Sequence, residues 1–280
     1  MTAAKDLAAA SWRAVRRMLR EYFTGSAAEL SYYALLSAVP CIAMFVGLVG
    51  LLGSDPETTN AIEKAAREGV SPEAGEVAHD AAAGVVDRDS GAGLALGAGL
   101  LTSLWVASMY VSAFRRTAYR VRGVDPGPQW RARPLQVVLT FAGLVALAVA
   151  ALALAVTERL MRELGEAVGA QDATVTVWSV VRWPLTLAVL VFLIAGLYDL
   201  GPDRRKGRRR FLSVGAMAAL VVWLAASAGF ELWLGTFANY DVTYGALAGV
   251  AAFAIWLWIS NLALLFGMVL DMELEGPAPY

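Results

Sequence analysis

Histidine and cysteine are nearly missing from this chain, with one of each in 280 residues. A single cysteine excludes an intrachain disulfide, and a single histidine leaves a conventional His/Cys zinc site short of ligands. Charge is scarce too: charged residues make up 17% of the chain, whereas soluble domains carry about 25%. The scarcity is uneven. Residues 243–270 contain no charged side chain, and at about 1.5 Å per helical residue such a run can cross a bilayer core of about 30 Å. The first 23 residues do not read as a secretory leader, because Lys5, Asp6, Arg13, Arg16, Arg17, Arg20 and Glu21 leave no apolar core among them.

What the chain does contain is apolar side chains, 58% of the total, gathered into long runs. They predict an all-α integral membrane protein with six transmembrane helices, at 30–52, 91–114, 134–157, 177–200, 211–234 and within 239–275, preceded by an amphipathic helix. The domain plan is a cytoplasmic lead-in at 1–29, a transmembrane domain at 30–275 and a short cytoplasmic tail at 276–280. Basic residues concentrate before the first run, between the second and third, and between the fourth and fifth. That bias puts both termini on the cytoplasmic side of the membrane.

The polar segments are informative in turn. In the lead-in, Trp12, Val15, Leu19 and Tyr22 recur at helical spacing with Arg13, Arg16, Arg17 and Arg20 to the side. This suits a helix on an anionic lipid surface, or a basic lead-in that only fixes topology. The loop at 53–90 carries nine acids against three bases and is expected outside, either gathering cations or as a solvated face, with His79 on its surface. The run GPDRRKGRRR, six bases in ten residues, sits between two apolar helices and has no interleaved aromatics. It reads as a positive-inside anchor and not as a nucleic-acid site. Cys41 reads as a small apolar side chain, with no base nearby to activate it.

No catalytic constellation, cofactor motif or metal-ligand cluster is apparent in the sequence. Tyr32, Tyr33 and Ser37 place polar groups in the first apolar run, and Pro40 is expected to kink it. Ser37 falls roughly 10 Å into that run and Asn261 roughly 13 Å from the inner end of the last. Tyr32, Tyr33, Ser37, Pro40 and Asn261 therefore form a candidate cavity, with Glu29, Asp199, Asp271 and Glu273 at its cytoplasmic rim. The competing reading makes Ser37 and Asn261 glue between helices, with the tyrosines as interfacial anchors. Arg182 and Glu231 lie near the outer ends of neighbouring runs and form a candidate ion pair, locking a hairpin or lining a vestibule.

Four blocks carry a resemblance. AAELSYYALLSAVP at 27–40, AFRRTAYRVRG at 113–123, LYDLGPDRR at 197–205, and NYDVTYGALAGV running through LWISNLALLFG into LDMELE make the chain similar to the YihY/BrkB family of bacterial inner-membrane proteins. The resemblance implies six transmembrane helices and brings a ribonuclease BN label used in that family. Where the family commonly has Glu and Asn this chain has Val269 and Asp271. Metal-dependent phosphodiester cleavage needs clustered carboxylates or histidines, and the carboxylates here lie mostly in loops. The expected function is a permease-like protein moving a small solute or lipid through the cavity between the first and last helices. A non-transporting scaffold for envelope assembly is the alternative, and a membrane-embedded lipid-modifying enzyme the third. Expected partners are membrane lipids, with anionic ones at the basic loops, and a homo-oligomer is compatible with the sequence.

Overall fold

The computed structural model describes residues 2–21, 23–51, 90–125, 129–155, 171–202, 213–236 and 246–275. The acidic loop with His79, most of the GPDRRKGRRR run and the C-terminal tail lie outside the described residues. The helices are α1 (Thr2–Arg20), α2 (Phe23–Leu51), α3 (Ser90–Arg122), α4 (Gln129–Ala155), α5 (Gln171–Tyr198), α6 (Val214–Thr236) and α7 (Ala246–Glu275). No strand occurs among the described residues.

The expectation of six transmembrane helices is corrected. Among the described residues three stretches are long and apolar enough to cross a membrane: Thr176–Tyr198 in α5, Val214–Leu234 in α6 and Gly249–Glu275 in α7. In α4 the apolar stretch Gln136–Leu147 is shorter. In α2, α3 and α4 the rest of the expected runs, at 39–51, 91–100 and 148–155, lies outside the described side chains. α3 ends in Arg115, Arg116, Arg120 and Arg122, and α2 begins with Thr24, Ser26 and Glu29. Glu29 and Arg116 pair with each other at one end of the bundle.

The helices pack in a closed circuit: α2 against α3, α3 against α4, α4 against α5, α5 against α6, α6 against α7, and α7 back against α2. α1 lies on α7. One end of this circuit holds the core. Phe23, Ala27 and Leu30 of α2, Phe114 and Ala118 of α3, and Leu265, Val269 and Leu270 of α7 are almost wholly buried there. In α5 and α6 the buried apolar side chains are Ala195, Ala216, Ala219 and Leu220, at the ends that join across the basic run. In the opposite halves of α2, α5, α6 and α7, across 32–38, 176–194, 221–234 and 249–260, no described residue is buried, while α3 and α4 bury Ala107 and Leu144 there. The described side chains pack closely at one end of the bundle and more loosely toward the other.

Two glycines make the closed end possible. A methyl on Gly267 would overlap the Gly215 carbonyl oxygen, the Tyr198 hydroxyl and Ala219, and one on Gly215 would overlap the Gly267 carbonyl oxygen and the Asp271 carboxyl group. Only hydrogen at both positions lets the two backbones come so close. Farther along the same pair, Trp223 Nε1 donates to Ser260 Oγ (3.0 Å) and Trp256 Nε1 to Ser227 Oγ (3.2 Å). α3 stops where Gly123 takes φ 66°, with Gly123 N donating to Arg120 O and Val124 N to Tyr119 O. This left-handed cap satisfies carbonyls that the helix end would leave open.

α6 begins with a cap built from two parts of the chain. Ser213 Oγ accepts from Ala216 N at 2.9 Å, and Asp271 Oδ1, from α7, accepts from Gly215 N at 2.6 Å. A carboxylate there also faces the positive end of the helix. Because an amide oxygen accepts equally well, D271N is expected to keep the thermal stability of the native chain within about 0.5 kcal/mol, whereas D271L loses about 1–2 kcal/mol. Melting both variants in detergent checks this, and equal melting temperatures for D271L and the native chain would contradict the cap.

Candidate functional site

Asn261 sits in the middle of α7 and is 4% exposed. Its carboxamide joins three helices. Tyr110 of α3 donates its hydroxyl to Asn261 Oδ1 (2.8 Å), and Asn261 Nδ2 donates to Ser31 Oγ of α2 (3.1 Å) and to the Leu257 carbonyl one turn back (2.9 Å). Ser31 in turn donates to Ala27 O at 2.7 Å. The carboxamide is suited to this position because it both donates and accepts without carrying charge. The cluster lies at the boundary between the packed end and the loose half. Toward the packed end, Tyr198 stacks on Phe114 with ring centroids 6.0 Å apart and donates its hydroxyl to Leu264 O.

Of the remaining cavity candidates, Tyr32 is 60% exposed and meets Tyr33 edge-on at 5.5 Å between centroids. Ser37 donates to Ala34 O of its own helix at 2.9 Å. Pro40 falls within α2, and its side chain lies outside the described ones. The hydrogen-bonded cluster thus holds Asn261 together with Ser31 and Tyr110, two residues that the sequence reading passed over. Ser31 was within reach of sequence reading, since it stands beside Tyr32 in the SYY of the first block. Tyr110 had a weaker signal, an isolated tyrosine in an apolar run.

Two of the four rim candidates meet arginines. Glu29 pairs with Arg116 of α3 at 2.7 Å. Glu273 pairs with two bases of α1, Arg13 at 3.1 Å and Arg17 at 3.3 Å. Asp271 caps α6, and Asp199 stands exposed just past α5. Arg17 also donates to the Val121 carbonyl at the end of α3, and Arg122 pairs with Glu275 at 3.2 Å. These links tie α1, α2, α3 and α7 together around the packed end. Arg182 and Glu231 form no ion pair. The Arg182 guanidinium lies over the Trp183 ring, 5.6 Å from its centroid, and its Nε is buried without a hydrogen-bond partner, while Glu231 is exposed.

Residues 14–278 match the family model described as virulence factor BrkB. The chain belongs to the YihY/BrkB family. Among curated relatives it is 28% identical over 242 residues to YfkH of Bacillus subtilis, a protein named as ribonuclease-like, covering 86% of each chain. It is 29% identical over 265 residues to a UPF0761 membrane protein of Aliivibrio salmonicida, covering 92% of this chain and 81% of the relative. A UPF0761 membrane protein of Alteromonas mediterranea is 28% identical over 261 residues, with 90% and 83% covered. No solved structure matches. With its apolar helices of membrane-crossing length, this YihY/BrkB protein is a multi-pass membrane protein, consistent with a bacterial inner membrane.

Proposed function

We propose that this YihY/BrkB protein is a permease-like membrane protein that passes a small solute or a lipid along the inside of the helix circuit. The layer of Ser31, Tyr110 and Asn261 closes the route in this state. One contrast carries the reading: a buried, uncharged, hydrogen-bonded layer adjoins halves of α2, α5, α6 and α7 in which no described residue is buried. Neutral hydrogen bonds suit a closure that must open, since exchanging them for bonds to a polar ligand costs far less than baring a charge. The packed end carries Arg13, Arg16, Arg17, Arg20, Arg115, Arg116, Arg120 and Arg122, which supports its assignment to the cytoplasmic side. The Arg13 and Arg17 pairs with Glu273 place the first and last helices at that same end, so both flanking termini are proposed to be cytoplasmic.

A second reading has a specific observation in its favour. The Gly215 and Gly267 crossing is the packing of a rigid element, and it suits a scaffold that moves nothing. Reconstitution separates the two. Proteoliposomes are assayed for dithionite bleaching of inner-leaflet fluorescent phosphatidylethanolamine and for swelling in a series of small polyols. Transport predicts rates above those of protein-free liposomes, changed by S31A at an unchanged melting temperature. Rates equal to protein-free liposomes in every assay would remove the permease reading and leave the scaffold.

A further inference from the structure

We propose that α1 is an interfacial lipid-binding helix: Trp12, Val15 and Leu19 enter the headgroup boundary of an anionic bilayer, and Arg16 and Arg20 take its phosphates. The arginines of α1 are thereby divided between two tasks. Arg13 and Arg17 hold the helix to the bundle through Glu273, and Arg16 and Arg20 face the membrane. The proposal is independent of whether anything crosses the bundle.

Three faces run along α1. Ala10 and Ala14 are fully buried and Met18 packs beside them, so small side chains make the contact with the bundle. Arg13 and Arg17 border that face and reach Glu273. At 100° per residue Val15, Ala8, Leu19 and Trp12 share a second sector about 60° wide. All four are exposed, Trp12 at 63% and Leu19 at 79%. Arg16 and Arg20 continue around the helix from Trp12 and are exposed as well.

A helix that docks through alanines and leaves its tryptophan and leucine outward has its larger apolar surface uncovered. The bilayer surface is the occupant that fits. α1 is fixed at the end where α3 and α7 finish, and the stretch of α7 long enough to cross a membrane ends there too. An apolar strip bordered by arginines matches the boundary between acyl chains and anionic phosphates, and tryptophan favours that depth. The ion pairs with Glu273 set which side of α1 turns outward. They also remove Arg13 and Arg17 from the charge offered to lipid.

The test uses the full chain in a Cys41→Ser background, which leaves no native thiol. Nitroxide is attached at W12C, L19C and the exposed control D6C, on the side of Arg13 and Arg17, in nanodiscs of phosphatidylcholine with or without phosphatidylglycerol. Power saturation compares collision with oxygen, which concentrates in the bilayer, against a water-soluble nickel chelate. Labels at 12 and 19 are expected to favour oxygen severalfold over the label at 6, more so with phosphatidylglycerol. R16E/R20E removes the effect of phosphatidylglycerol, lowering the preference for anionic lipid about tenfold. R13A/R17A sharpens the spectrum by loosening α1 but keeps the dependence on phosphatidylglycerol. Labels at 12 and 19 as open to nickel as the label at 6 would overturn the proposal. So would labels shielded from both reagents, which would indicate a protein partner or a second copy. Loss of lipid dependence in R13A/R17A as large as in R16E/R20E would overturn the division of the arginines.

Discussion

Gly267→Ala is expected to destabilise the bundle by about 3 kcal/mol or more, and Gly267→Val to prevent α6 and α7 from docking. The size follows from what the new methyl would strike. Its nearest neighbours are the Gly215 carbonyl oxygen, the Tyr198 hydroxyl and the Cβ of Ala219, and only the hydroxyl could swing away. Moving it would break its bond to Leu264 O and disturb the stack on Phe114. The backbone oxygen and the Cβ can yield only if the helices separate, which would also pull Gly215 N from Asp271 and loosen the α6 cap. Gly143 is the internal control. A methyl there meets Leu193 Cδ2 at 3.6 Å, an ordinary contact, so G143A is expected to stay within about 0.5 kcal/mol of the native chain. Thermal challenge followed by fluorescence-detected size exclusion reads both. G267A melting together with G143A would show that the crossing yields more easily than these contacts imply.

The sequence displayed the apolar helices more clearly than the way they use their polar residues. The uncharged run at 243–270 predicts a helix, and α7 spans Ala246–Glu275. Counting every apolar run as a membrane crossing gave six, three more than the described helices support by length and composition. The other three runs lie partly outside the described side chains. Partner choice was less legible. Depth along neighbouring helices set Arg182 opposite Glu231, but depth says nothing of rotation about the helix axis, and the two form no pair. Rotation also decides that Ser31 reaches Asn261 while Ser37 bonds within its own helix. Glycines were legible as small residues, yet nothing local marks Gly215 and Gly267 as a facing pair. That information arises only when α6 and α7 cross.

Asn261→Asp is expected to be the most damaging exchange in the polar layer, costing about 3 kcal/mol, and Asn261→Ala a milder one at about 1–2 kcal/mol. The two differ in what they leave behind. Alanine removes the acceptor of Tyr110, but Ser31 keeps its bond to Ala27 O, so one buried hydroxyl loses its partner. Aspartate preserves the acceptor and adds a charge where the carboxamide is bonded only to Tyr110, Ser31 and Leu257, with no base among these partners. It also replaces an N–H donor with an oxygen facing the Leu257 carbonyl. Aspartate and asparagine are nearly equal in volume, so the extra loss isolates charge from packing. Crossing N261A with Y110F then measures the shared bond, with an expected coupling of about 0.5–1.5 kcal/mol. Zero coupling, or N261D as stable as N261A, would mean that water already reaches this layer. A water-filled layer would be a conduit in its resting state, and the closure would have to lie deeper, at the crossing of Gly215 and Gly267.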